Sequence, residues 1–94
     1  MSDRQSPAPT HEAPEPIGDE LARWVTELSS ALGLPGAHVA AGGELLALTR
    51  EVAHGVTRPA GPLATYLVGL AVASGRTLDD AVAVTRETVA RWGR

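Results

Sequence analysis

Apolar residues recur at helical spacing along most of the chain and predict four helices. The first runs from about Asp19 to Leu32, the second from about Glu44 to Val56, and the third from Pro62 to about Ser74. The fourth begins after Thr77, which stands three residues before Asp80 in a variant of the capping box. No stretch alternates apolar and polar residues over a useful length, so no strand is expected. The pattern predicts an all-α fold, a small four-helix bundle-like domain.

Three of the predicted helices have a distinct apolar side, which we expect to face the core. The residues on this inner stripe are Leu21, Trp24, Val25, Leu28 and Leu32 in the first helix, Leu45, Leu48, Val52 and Val56 in the second, and Leu78, Ala81, Val82, Thr85, Val89 and Trp92 in the fourth. Gly33 and Gly75 are placed to close the first and third helices as left-handed caps. Short connections favour an up-down-up-down topology, in which Trp24 and Trp92 would pack together at one end of the core.

The third helix is apolar on every side, because no charged residue occurs between Pro59 and Gly75. Its larger side chains are Leu63, Tyr66, Leu67 and Leu70, and we expect this face to pack inside the domain. Val68 and Val72 lie on the opposite side. Since a helix of this kind is normally surrounded by protein, partner helices or a second protein chain should cover that side.

Residues 1–16 contain four prolines and almost no apolar side chains. Ordering such a segment would cost entropy without burying apolar surface, so we expect a disordered tail followed by a helical domain over residues 17–94. The segment has no secretory signal pattern, and the longest charge-free run is too short to span a bilayer. We expect a cytoplasmic protein without a membrane segment.

The composition excludes several classes of function. The net charge of −3 argues against a nucleic-acid-binding protein, which usually carries a basic stripe. The absence of cysteine excludes disulfides, thiolate metal sites and cysteine nucleophiles. The hydrophobic content of 44% is typical of a globular domain.

The candidate site residues are Arg50, His54 and Arg58, which are spaced four residues apart. They would line one side of a helix if the second helix continued that far. Arg58 also precedes the third helix, whose free N–H groups would favour an anion. The functional interpretation is a site for an anion, phosphate or partner protein. The structural interpretation is a solvated polar face, or a histidine that caps a helix end.

No catalytic, metal or cofactor site is predicted. Adjacent Asp79 and Asp80 point about 100° apart on a helix and stabilise its first turn, which explains them structurally. Glu51 could orient His54 as in a catalytic dyad, but no serine or cysteine nucleophile accompanies them. Gly42 and Gly43 lack the surrounding pattern of a phosphate-binding loop.

The segment from Val52 to Ala71 matches the pattern A-H-x-V-x-R-P-A-x-P-L-T-x-[FY]-L-x-G-L-A. The matching residues are Ala53, His54, Val56, Arg58, Pro59, Ala60, Pro62, Leu63, Tyr66, Leu67, Gly69, Leu70 and Ala71. Ala64 departs from the expected threonine. In this segment the chain resembles a small actinobacterial family of helical domains of unknown function, DUF6457. Looser similarity extends into the first helix.

Domains of the family occur at the C-terminal end of proteins that resemble molybdenum-cofactor guanylyltransferase, the enzyme that joins a guanine nucleotide to molybdopterin. The resemblance implies a role beside molybdopterin guanine dinucleotide synthesis, with a guanylyltransferase-like protein or a second copy of the chain as partner. It supplies no catalytic residues. We therefore expect a non-catalytic accessory or interaction domain. The alternative is a small anion-binding protein that uses His54 and Arg58, and an enzyme ranks last.

Overall fold

Four helices make up most of residues 17–34 and 40–93, the part of the chain that the computed structural model describes. They are α1 (Asp19–Ala31), α2 (Gly42–Gly55), α3 (Ala60–Ala73) and α4 (Leu78–Arg91). No strand occurs in these two ranges, so the predicted all-α fold class is confirmed. The expected helix bounds agree with the observed ones to within two residues. The predicted tail, residues 1–16, lies outside the described residues.

The chain divides into two compact units between Glu44 and Leu45. In the first unit, α1 ends as its sequence predicts. Gly33 has a φ of 74°, and the N–H of Leu34 donates to the carbonyl of Ser29 at 2.8 Å. This is the bonding pattern of a left-handed glycine cap. The apolar side of α1 is largely open to solvent, because its Leu21, Trp24, Leu28 and the following Leu32 are all exposed.

The core of the second unit forms where α2, α3 and α4 meet. Leu48 and Val52 of α2 are buried, and Leu45 and Val56 pack partly buried beside them. The predicted inner stripe of α2 is therefore confirmed. From the facing helices, the buried apolar residues are Val68, Ala81 and Val82.

Helix α3 is turned differently from our prediction, because of the two valines expected on its outer side Val68 is buried and only Val72 is exposed. Its inner side carries the small residues Gly61, Ala64 and Ala71 together with Val68, which is 4% exposed. The large residues expected inside, Leu63, Tyr66, Leu67 and Leu70, are all exposed. The reason is close packing on both neighbouring helices: α3 lies along α4, and at its first turn a Cβ atom on Gly61 would lie 2.9 Å from the Thr49 carbonyl oxygen of α2. Small residues allow this approach, which leucines at the same positions would prevent.

Helix α4 begins as predicted, with the Thr77 hydroxyl accepting from the Asp80 N–H at 3.0 Å. Ala81 and Val82 are buried, in agreement with the predicted inner stripe. The prediction of tryptophan core anchors is wrong, since Trp92 is 62% exposed and Trp24 is 59% exposed. Trp92 is the residue at which α4 ends, with a ψ of 135°.

Candidate functional site

The predicted residues Arg50, His54 and Arg58 are all exposed, but they do not share one helix face. Arg50 and His54 lie four residues apart on α2, on the side away from the core. Helix α2 ends at Gly55, however, and Arg58 belongs to the turn that leads into α3. None of their side chains forms a hydrogen bond or ion pair with another residue in the described ranges. The structure therefore leaves all three available while separating Arg58 from the helical row.

The start of α3 does not offer the free N–H groups that we expected for an anion. The Ala60 N–H donates to the Thr57 carbonyl at 3.1 Å, and the Gly61 N–H donates to the Arg58 carbonyl at 3.2 Å. The residues on either side, Pro59 and Pro62, have no N–H to donate. An anion at this position would have to be held by side chains alone, so the main-chain part of the predicted site is wrong.

The carboxylate of Glu51 is engaged by a different partner from His54. Arg86 of α4 donates to both of its oxygens, from Nε at 2.7 Å and from a terminal guanidinium nitrogen at 3.2 Å. This paired geometry orients Glu51 toward α4. It gives no support to a Glu51–His54 dyad.

The acidic pair at the start of α4 has structural roles. Asp80 forms an ion pair with Arg76, and its N–H is capped by Thr77. Asp79 is exposed in the same first turn, where an acid interacts favourably with the helix dipole. Within the described residues, no group of three histidine or acidic side chains is arranged to hold a metal ion.

The most prominent surface feature of the second unit is apolar. Six exposed side chains belong to it: Leu63, Tyr66, Leu67 and Leu70 of α3, Val84 of α4, and Trp92 just after α4. We call these residues the α3/α4 surface. Beside it, a groove of about 450 Å³ runs over Val56 and Val89 and is bordered by Leu63, Leu67 and Trp92.

Sequence reasoning missed this surface because it assigned the same leucines and tyrosine to the core. The small residues Gly61, Ala64 and Ala71 lie on the packed side of α3, but the sequence carries a second row of small residues at Thr65, Gly69 and Ala73. That second row does not pack closely, since Gly69 and Ala73 are exposed and an added Cβ on Gly69 would meet nothing within 4 Å. Small residues alone therefore do not identify the packed side of this helix. The described residues contain no helix with the length and apolar character needed to cross a bilayer.

Comparison with known proteins gives one match. The family model described as a domain of unknown function, DUF6457, matches residues 17–94. No curated protein and no solved structure matches the chain.

Proposed function

This chain belongs to the DUF6457 family of domains of unknown function, and from that premise we propose that it is a non-catalytic protein-interaction domain. The α3/α4 surface is its binding surface. The observation that carries this proposal is the exposure of Leu63, Tyr66 and Leu67, at 65%, 65% and 62%. These three large side chains lie next to each other on α3 and make no contribution to the core of their own unit.

The composition of the surface suits protein recognition. Monomeric proteins seldom expose a contiguous apolar patch of more than a few hundred Å², and larger ones usually mark interaction sites. Binding energy in such sites is concentrated in a few residues, among which tryptophan and tyrosine are enriched. Tyr66 and Trp92 provide both types here. The groove between α3 and α4 adds a concave border into which a partner's side chains could insert.

The proposed biological setting is molybdopterin guanine dinucleotide synthesis in the cytoplasm, with a guanylyltransferase-like protein as partner. Its support is the resemblance of Val52–Ala71 to domains joined to such transferases. Four positions of that pattern, Leu63, Tyr66, Leu67 and Leu70, belong to the α3/α4 surface. Packing inside the unit does not require large residues at these positions, whereas binding to another protein does.

The test is calorimetric titration of the chain with a purified molybdenum-cofactor guanylyltransferase-like protein. We expect Leu67→Glu to weaken binding at least about tenfold, which corresponds to about 1.4 kcal/mol. Leu46→Glu is the matched control, because Leu46 is an exposed leucine on α2 outside the surface. Unchanged affinity in Leu67→Glu would exclude the α3/α4 surface, and the absence of any binding would exclude this partner.

We propose anion binding as the second function, because the side chains of Arg50, His54 and Arg58 are exposed and have no partner within the described residues. Its test is the melting temperature in inorganic phosphate against chloride at equal ionic strength. Phosphate also stabilises proteins generally, so Arg58→Ala and His54→Ala must be measured alongside. Binding predicts a smaller phosphate-induced rise in both variants. An equal rise in all three proteins would reject this function.

A further inference from the structure

We propose that a second copy of this chain occupies the α3/α4 surface, with the two α3 helices packed antiparallel across a twofold axis. The inference rests on the proposed function, since it takes that surface to be a binding site, and it names the occupant. The axis passes between Tyr66 and Leu67. Leu63 of each copy then packs on Leu70 of the other, and Tyr66 packs on Leu67.

The charge distribution of α3 suits pairing with a second copy of the chain. In a twofold interface the same patch meets itself, so any charged residue near the axis would face its own equivalent. The chain has no charged residue from Pro59 to Gly75, which includes the whole of α3. Charge complementarity, which unrelated partners use to select each other, is therefore unavailable along this helix. Two antiparallel helices also place their dipoles in a favourable orientation.

The spacing of the exposed residues fits helix pairing. Leu63, Tyr66, Leu67 and Leu70 follow the i, i+3, i+4, i+7 pattern of a helix stripe, and the stripe is symmetric about its midpoint. An antiparallel pair therefore matches two central and two outer contacts without leaving a large residue unopposed. Gly69 lies beside the stripe, and an added Cβ there would meet nothing within 4 Å.

The available area indicates a weak, reversible dimer. Aromatic side chains bury 150–250 Å² each, and leucine and valine less, so the six partly exposed residues offer on the order of 600 Å² per copy. Two copies would bury on the order of 1,200 Å², at the lower limit of stable specific interfaces. We therefore expect dissociation in the micromolar to millimolar range rather than an obligate dimer.

The first experiment is sedimentation equilibrium of the full chain between about 1 μM and about 1 mM, the range over which a weak dimer dissociates. We expect a monomer–dimer equilibrium in the native chain and in Leu46→Glu. In Leu67→Glu the dissociation constant should rise at least about tenfold. Far-ultraviolet circular dichroism confirms that each variant is folded. A native chain that stays monomeric throughout, or a dimer that persists unchanged in Leu67→Glu, would overturn the proposal.

The second experiment tests the register of the two α3 helices by disulfide cross-linking. The chain has no native cysteine, so only the introduced thiols can form a disulfide. A mixture of Leu63→Cys and Leu70→Cys chains should form a disulfide-linked heterodimer under mild oxidation. Either variant alone should cross-link much less, as should the control Leu46→Cys. Equal cross-linking in all samples would refute the antiparallel register.

The two proposals fail in different ways. If the native chain is monomeric and binds a guanylyltransferase-like protein that Leu67→Glu no longer binds, the proposed interaction function stands and the proposed dimer is wrong. If the chain dimerises in the stated register without binding that protein, the second copy stands and the assigned partner is wrong.

Discussion

Replacing Gly61 by alanine should destabilise the second unit, although alanine is the better helix former. The added Cβ would lie 2.8 Å from the Thr49 methyl carbon and 2.9 Å from the Thr49 carbonyl oxygen. The oxygen is part of the α2 backbone and cannot move alone. The methyl is also held, because the Thr49 hydroxyl donates to the Leu45 carbonyl at 2.8 Å and rotation would break that bond. Relief therefore requires α2 and α3 to separate.

The size of the effect follows from two opposing contributions. Forcing an extra carbon into a packed interface typically costs about 1–3 kcal/mol. The change from glycine to alanine inside a helix contributes up to about 1 kcal/mol in the other direction. Subtracting the helix contribution leaves a net loss of up to about 2 kcal/mol for Gly61→Ala. This is a large part of the roughly 3–5 kcal/mol that a core of this size supplies.

Gly69→Ala is the matched control, because Gly69 lies in the same helix and an added Cβ there meets nothing within 4 Å. It should stabilise the unit by up to about 1 kcal/mol. The measurement is urea unfolding followed by circular dichroism at 222 nm, with a common slope for all proteins. Equal free energies of unfolding for Gly61→Ala and Gly69→Ala would contradict the close packing of α3 against α2 at Gly61.

Three further variants test the core, the cap and the exposed ring. Leu48→Ala should lower the free energy of unfolding in urea by about 2–5 kcal/mol, because Leu48 is fully buried. Its control, Leu46→Ala, changes an exposed leucine and should lower it by about 0.5 kcal/mol or less. Equal losses in the two variants would contradict the assigned core. Thr77→Ala should cost about 1 kcal/mol and lower the melting temperature, since it removes the α4 cap, and Thr77→Ser should restore it. Trp92→Ala should cost about 1 kcal/mol or less, as expected for an exposed side chain, and a loss above about 3 kcal/mol would show that the ring is buried.

The parts of the fold that the sequence predicts are those where polarity changes around a helix. In α2, polar residues such as Arg50 and His54 occupy one side and leave Leu48 and Val52 on the other, so the buried side is unambiguous. The cap at Thr77 is equally local, because its partner Asp80 is only three residues away. Contacts of this kind depend on short-range geometry that spacing encodes directly.

Helix α3 shows why the rest could not be predicted from periodicity. With no charged residue in α3 to mark the outer side, the phase of the helix is undetermined, and side-chain size was the only remaining guide. The structure selects against size, because close contact with Thr49 favours Gly61 and small neighbours on the inner side. The ion pair between Glu51 and Arg86 could not be predicted from spacing either, since 35 residues separate the two in the sequence.

The predicted site had a visible warning in the sequence. Pro59 and Pro62 remove two of the donors that an anion would need at the start of α3. The N–H groups of Ala60 and Gly61 are also occupied, because they donate to the carbonyls of Thr57 and Arg58 in the turn that precedes α3. Only the second fact needs the structure. What sequence spacing could establish is that Arg50 and His54 share a face of α2.

The charge-free character of α3 also bears on refolding from denaturant. Until α4 docks, part of the inner side of α3 is uncovered, because Ala81 and Val82 of α4 belong to the core that Val68 completes. Transiently exposed apolar surface makes folding intermediates prone to aggregation at micromolar to millimolar protein concentrations. No side-chain charge on α3 opposes association between such intermediates. The fraction of soluble protein recovered after dilution from urea should therefore fall as the protein concentration rises.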